Sequence, residues 1–150
     1  MAEGDEELRD LYRDVLLDYY RSQAHKGSVK RPDLSAHGVN PVCGDEIELT
    51  MSHKAGVLRE VRYSGHGCVI SQASSAMMSE AVEGKSLVEA RALAGAFKAF
   101  LLEGASADSL PPDLEEAKAL DGVRKFPVRI KCALLGWNTL LQGLDGNGGK

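Results

Sequence analysis

The sequence predicts an α+β fold: an N-terminal helix, then a small antiparallel sheet of two to three strands, then helices that cover one face of that sheet. Three observations lead there. Apolar residues recur at helical spacing near the start, alternate with polar ones between Ile47 and Tyr63, and return to helical signals from Ile70 onward. With 150 residues, 43% hydrophobic and 27% charged, the chain reads as one domain over 1–150, large enough to bury a core without disulfide staples.

Each element has its own warrant. Leu8, Leu11, Tyr12, Val15, Leu16 and Tyr19 share one face of a helix over 5–23, and Gly27 is a plausible stop. Residues 24–40 read as a polar loop containing Pro32 and Gly38. Ile47, Leu49 and Met51 alternate with Glu48, Thr50 and Ser52 in a first strand. A turn near Lys54-Ala55-Gly56 leads to a second strand carrying Val57, Val61 and Tyr63, and 39–42 could add a short third. Ser64-Gly65-His66-Gly67-Cys68 reads as a glycine-rich turn before an Ala- and Met-rich helix from Ile70 to Val82. Ser86-Leu87-Val88-Glu89 is a capping box that opens a helix ended by Gly104. Pro111-Pro112-Asp113 begins a short helical piece through Leu120, closed by Asp121-Gly122. Pro127 suits the first turn of a last helix, with Leu134, Trp137 and Leu141 on its apolar face. The tail 145–150 is expected to be disordered.

Composition excludes several classes. A net charge of −4 argues against nucleic-acid binding by general phosphate attraction. No apolar run approaches membrane-spanning length, and the acidic start Glu3-Gly4-Asp5-Glu6-Glu7 is unlike a secretion signal, so the expected location is the cytoplasm. Three cysteines are an odd count for a disulfide framework, and in a reducing compartment thiols more often serve metals or chemistry. The absence of a C-x-x-C pair disfavours a thioredoxin-like role.

Each cysteine falls at the edge of a predicted element. Cys43 and Asp45 lie where the chain enters the first strand, on one side if that segment is extended. Cys68 lies between strand and helix, where a helix dipole favours negative charge. Cys132 lies in the first turns of the last helix. Zinc accepts thiolate sulfur and carboxylate oxygen in tetrahedral sites, so four side chains from three remote segments are candidates for one metal. Their spacing alone is unlike paired-cysteine fingers and leaves buried or unrelated thiols open as the alternative.

Three motifs sharpen this. Asn40-Pro41-Val42-Cys43-Gly44-Asp45, then Gly65-His66-Gly67-Cys68-Val69-Ile70-Ser71-Gln72-Ala73-Ser74-Ser75, then Arg129-Ile130-Lys131-Cys132 resemble the NifU N-terminal/IscU family, in the same order over most of the chain. Lys131 stands where the scaffold branch usually has His, and the stretch between Cys68 and Cys132 is longer than in scaffolds. Both departures point to the SufU-type branch. The resemblance implies an IscU/SufE-like fold and a zinc site made by Cys43, Asp45, Cys68 and Cys132. It implies a sulfur-transfer role as accessory to a SufS-type cysteine desulfurase, with Cys43 as the sulfur acceptor and with downstream cluster-assembly proteins as further partners. The alternative it carries is a scaffold that holds iron as a [2Fe–2S] cluster on the same residues.

The residues also support a chemical argument. Thiolate is the nucleophile toward a persulfide, and zinc keeps bound thiols deprotonated while being redox-inert. A closed tetrahedral site blocks its own thiolates, so an acceptor must leave the metal when the partner docks. Three thiolates, one carboxylate and Zn²⁺ sum to −2. Arg124, Lys125, Arg129 and Lys131 precede Cys132 and are candidates to offset that charge or to steer the partner. His66 is a candidate alternative ligand or proton acceptor, with plain solvent exposure as the bland reading.

Overall fold

The computed structural model describes the backbone of residues 2–146 and the side chains of 10–146. Helix α1 spans Ala2–Arg21 and is followed by strands β1 (Leu34–Asn40), β2 (Asp45–Lys54) and β3 (Val57–His66). These form an antiparallel sheet in the order β1-β2-β3. Helices α2 (Val69–Val82) and α3 (Leu87–Leu102) come next, then a 3₁₀ turn at Ala107–Ser109, a run of 3₁₀ turns over Pro112–Lys125, and helix α4 (Pro127–Leu144). The expected α+β order holds.

The strands follow the period-2 pattern. On β2, Asp45, Ile47, Leu49 and Met51 are buried and Glu48 is exposed, so one face of the sheet meets the helices and the other meets solvent. The β2–β3 hairpin turns on Ala55 and Gly56, at φ 54° and 78°, the left-handed pair that a two-residue hairpin loop demands.

Three sequence expectations are corrected. First, the third strand is β1, drawn from 34–40 within the presumed loop, while Pro41–Gly44 only turns the chain. Its alternation is short and breaks at Gly38-Val39-Asn40, which hid it; what holds it is pairing, from Leu34 with Met51 to Asn40 with Asp45. Gly38 belongs there because α4 crosses directly over it, where a Cβ would overlap Thr139 Oγ1 and meet Leu135 Cδ1 at 3.2 Å. Second, Ser64–His66 remain in β3, with Gly65 opposite Ile47, so only Gly67 and Cys68 link strand to helix. Gly65 manages this at φ 132°, where a Cβ would overlap the Glu46 carbonyl. Third, the piece begun at Pro112 passes through Asp121-Gly122 and ends at Lys125, kinked at Leu114, because Val123 is still buried beyond the expected stop. Of the tail 145–150, Asp145 caps α4 and its carboxylate meets Arg91 at 2.6 Å, and residues 147–150 lie outside the described part.

The core joins the sheet to α2, α3 and α4. Trp137 of α4 is fully buried and stacks on Phe97 of α3, ring centroids 4.4 Å apart. Its indole N–H donates to Ser74 Oγ at 3.0 Å, and Ser74 in turn donates to the Ala133 carbonyl at 2.7 Å. This relay fixes α2 against α4 at the residue after Cys132. Gly136 lets the helices touch, since a Cβ there would lie 2.7 Å from Ser75 Oγ. The capping box forms as expected, Ser86 and Glu89 exchanging hydrogen bonds at 3.0 Å each. Among the described residues no helix is long and apolar enough to cross a membrane.

Candidate metal centre

The site assembles at one end of the sheet from the β1–β2 turn, the β3–α2 link and the second turn of α4. Asn40 and Asp45 close the β1–β2 loop as a register pair, and the Cys43 and Gly44 N–H groups donate to the Asn40 carbonyl at 3.2 and 2.9 Å. Gly44 sits at φ 73°, a position that favours glycine. Cys43 is therefore carried on a tight turn and not on an extended strand. It still reaches the side of Asp45, because the turn folds it back over the start of β2.

Asp45 is the first residue of β2, points into the interior and is only 2% exposed. A buried carboxylate needs partners. Its Oδ1 accepts the Cys68 N–H at 3.0 Å and its Oδ2 accepts from Asn40 Nδ2 at 3.4 Å. Cys132, also 2% exposed, faces it from α4. The Cys132 thiol donates to Cys43 Sγ at 3.2 Å, and Asn40 Nδ2 donates toward Cys132 Sγ at 3.7 Å. Burial pushes the Cys132 thiol well above the usual cysteine range, reinforced by the side chains of Cys43 and Asp45 and by the charge of Cys68.

Ligand atoms of Cys43, Asp45 and Cys132 all lie within 4.8 Å of one another. Cys68 stands just outside this trio. It is the N-cap of α2, with Sγ accepting the Ser71 N–H at 3.5 Å in place of the usual capping oxygen. Its thiol is exposed, as is that of Cys43, while Cys132 is enclosed. Three of the four sequence candidates thus converge, and the fourth is tied to them through its backbone. The donor set suits zinc: two thiolates on one tetrahedral ion stand about 3.8 Å apart, so the sulfur pair at 3.2 Å would need to open only by about half an ångström.

Sequence reasoning missed the supporting residues. Asn40 is 6% exposed and bridges Asp45 and Cys132; the signal was its place at the head of the N-P-x-C-G-D motif, where a buried amide needs a reason. Gly67 leaves the space that the Asp45 carboxylate fills, because a Cβ there would lie 2.6 Å from Asp45 Oδ1. Ser71 secures the link by donating to the Cys68 carbonyl at 3.1 Å. Other candidates lie apart. His66 turns to Glu46 Oε1, 3.4 Å away on the solvent face. The Arg124 guanidinium is taken by Asp121 at 2.9 Å and by the Phe100 ring. Arg129 lies over the Phe126 ring, and Lys125 and Lys131 are exposed.

Comparison with known proteins shows which family the chain belongs to. The sequence model of the NifU-like N terminal domain family matches residues 11–146. The chain is 39% identical over 137 residues to the zinc-dependent sulfurtransferase SufU of Bacillus subtilis strain 168, covering 91% of each. It is also 39% identical over 137 residues to the iron-sulfur cluster assembly scaffold protein IscU of Streptococcus pyogenes serotype M1, covering 91% of this chain and 84% of that one. In three dimensions it superposes on the N-terminal part of a nitrogen-fixing NifU-like protein from Brucella abortus with a TM-score of 0.83, at 23% identity over 94% of this chain and 96% of that one, a likeness of fold.

Proposed function

Because this chain belongs to the NifU-like N terminal domain family, we propose that it is a zinc-dependent sulfur acceptor working with a cysteine desulfurase in iron–sulfur cluster assembly. One observation carries the reading: an exposed thiol, Cys43, lies 3.2 Å from a buried one, Cys132, beside a buried carboxylate. In this reading Cys43, Asp45, Cys68 and Cys132 would hold the ion. Bound there, Zn²⁺ would keep the thiols deprotonated without redox chemistry of its own.

The residues divide the work by position. Cys132 and Asp45 are enclosed and serve as fixed anchors, and Asn40 orients both. Cys43 sits exposed on a four-residue turn, and we assign it as the thiol that receives the sulfur. Its thiolate attacks the outer sulfur of the partner's cysteine persulfide. A sulfur–sulfur bond forms on Cys43, the one on the partner breaks, and the partner's cysteine leaves as thiolate, with the persulfide proton carried on the transferred sulfur. No external oxidant or reductant is required. Exposed apolar residues near the site in sequence, Val42 at 62% and Val128 at 49%, supply a contact surface. The basic Arg129 and Lys131 on the same helix turn favour an acidic patch on the desulfurase. Thiol chemistry of this kind suits the reducing cytoplasm, where we place the protein.

The relative named as a scaffold, equal in identity to the sulfurtransferase, favours one rival: a [2Fe–2S] cluster built on the same side chains. Metal analysis with an absorption spectrum of anaerobically purified protein separates the two. The sulfur-acceptor reading expects a colourless protein whose tightly held zinc is lost in Asp45→Ala and Cys132→Ser. Stoichiometric iron and sulfide with visible absorption would replace it with the scaffold reading.

A further inference from the structure

The solvent face of the sheet carries a second group of donor side chains, which the thiolate site does not use. Alternation along β2 turns Asp45 inward and Glu46 and Glu48 outward. Register then brings an imidazole to them from each side: His37 of β1 lies opposite Glu48, and His66 of β3 lies opposite Glu46. His37 Nε2 is 2.6 Å from Glu46 Oε2 and 3.7 Å from Glu48 Oε1, and His66 Nε2 is 3.4 Å from the other Glu46 oxygen. One ligand atom from each of His37, Glu46 and Glu48 falls within a sphere where all lie within 4.8 Å of each other.

We propose that His37, Glu46 and Glu48, with His66 completing the set, form a second divalent-cation site on the outside of the sheet. Two imidazoles and two carboxylates are a donor set for first-row ions of the Zn²⁺ and Ni²⁺ class, and are too nitrogen-rich to prefer Mg²⁺ or Ca²⁺. Donors at about 2.0–2.2 Å from such an ion stand roughly 3.0–3.5 Å apart. His37 Nε2, at 2.6 and 3.7 Å from the two carboxylates, brackets that range, so small rotations suffice for these three. His66, 3.4 Å from Glu46 and outside the trio, must turn further. Strand spacing of about 4.8 Å holds the three strands at the separation the site needs. Among the described residues neither Glu46 nor Glu48 pairs with a lysine or arginine, so with neutral imidazoles the group carries two uncompensated negative charges. The site is open to water, which makes it weaker and faster to exchange than the enclosed thiolate cluster. It lies across the sheet from that cluster, with adjacent residues Asp45 and Glu46 serving one site each.

The test uses the untagged full chain, saturated with zinc that a weak chelator cannot remove, titrated with Ni²⁺. Calorimetry should register one further equivalent, with no zinc released to a colorimetric indicator and no thiolate-to-nickel absorption. Amide signals broadened by the paramagnetic ion should be confined to the surroundings of His37, Glu46, Glu48 and His66. His37→Ala and Glu46→Gln should each weaken the added equivalent by about tenfold or more while keeping the first zinc and the thermal melting point. The proposal is overturned if no further equivalent binds, if its affinity is unchanged in both variants, or if uptake brings zinc release or thiolate-to-nickel absorption.

Discussion

Gly67→Ala is a one-methyl perturbation of the proposed metal site. The φ of Gly67 lies outside the left-handed range, so the change probes space and not backbone conformation. The new Cβ would overlap Ser71 Oγ and lie 2.6 Å from Asp45 Oδ1 and 3.1 Å from Asp45 Cγ. Ordinary contact begins near 3.4 Å, so the carboxylate must retreat by about 0.8 Å. It has little room to do so, being 2% exposed and held by the Cys68 N–H at 3.0 Å and by Asn40. Losing that charge-assisted bond costs about 1.5–3 kcal/mol of stability in the metal-free protein. If Asp45 is a ligand as proposed, displacing it by this much should also lower zinc affinity by about tenfold or more. Urea unfolding of the metal-free form gives the first quantity, and competition with a chromogenic chelator gives the second. Asp45→Ala sets the scale: in its background, Gly67→Ala should change zinc affinity no further, a coupling that a double-mutant cycle reads directly. If Gly67→Ala leaves both stability and zinc affinity at the unsubstituted values, the tight packing of Asp45 is refuted.

Other consequences are simpler to state. Gly38→Ala should destabilise by about 1–3 kcal/mol, measured by chemical unfolding, and Thr139→Ala in the same chain should recover part of it by removing the overlapped hydroxyl. Ser86→Ala should cost about 0.5–2 kcal/mol, since it removes one half of a formed capping box. Burial works against ionisation of Glu83, but the Val61 N–H, Arg62 and His25 together hold its carboxyl below the usual range. As pH falls, the unfolded state therefore takes up that proton first. The stabilisation is present above the ordinary carboxylate pKa and is lost as pH drops through the lower folded value. Melting curves between neutral and acid pH should show this loss, and Glu83→Gln should reduce it.

Much of the architecture was legible because it obeys simple periods. Alternation marked β2 and β3, the Ser86–Glu89 signature marked the start of α3, and Pro127 marked α4. β1 was not legible. Leu34 and Ala36 alternate with Ser35 and His37, but Gly38, exposed Val39 and buried Asn40 break the pattern, and pairing with β2 and the passage of α4 over Gly38 make it a strand. Ser64–His66 differ for another reason: Gly65, which suggests a turn, is here the residue that lets the strand approach the Glu46 carbonyl. For the site, the three cysteines and Asp45 were visible as motif residues, and their separate burial was not. Enclosure of Cys132 and exposure of Cys43 depend on how α4 and the β1–β2 turn dock, through contacts such as Trp137 with Ser74. The role of Asn40 needed the same tertiary information.

The most direct test of the account is to locate the transferred sulfur. The zinc-loaded protein would be mixed with a cysteine desulfurase and cysteine, trapped with a thiol-alkylating reagent, digested and read by mass spectrometry. The account predicts a persulfide, one sulfur atom heavier, on the peptide containing Cys43, absent from Cys132 and abolished in Cys43→Ser. A persulfide found on Cys68 or Cys132 with Cys43 unmodified, or undiminished sulfur acceptance by Cys43→Ser, would contradict it.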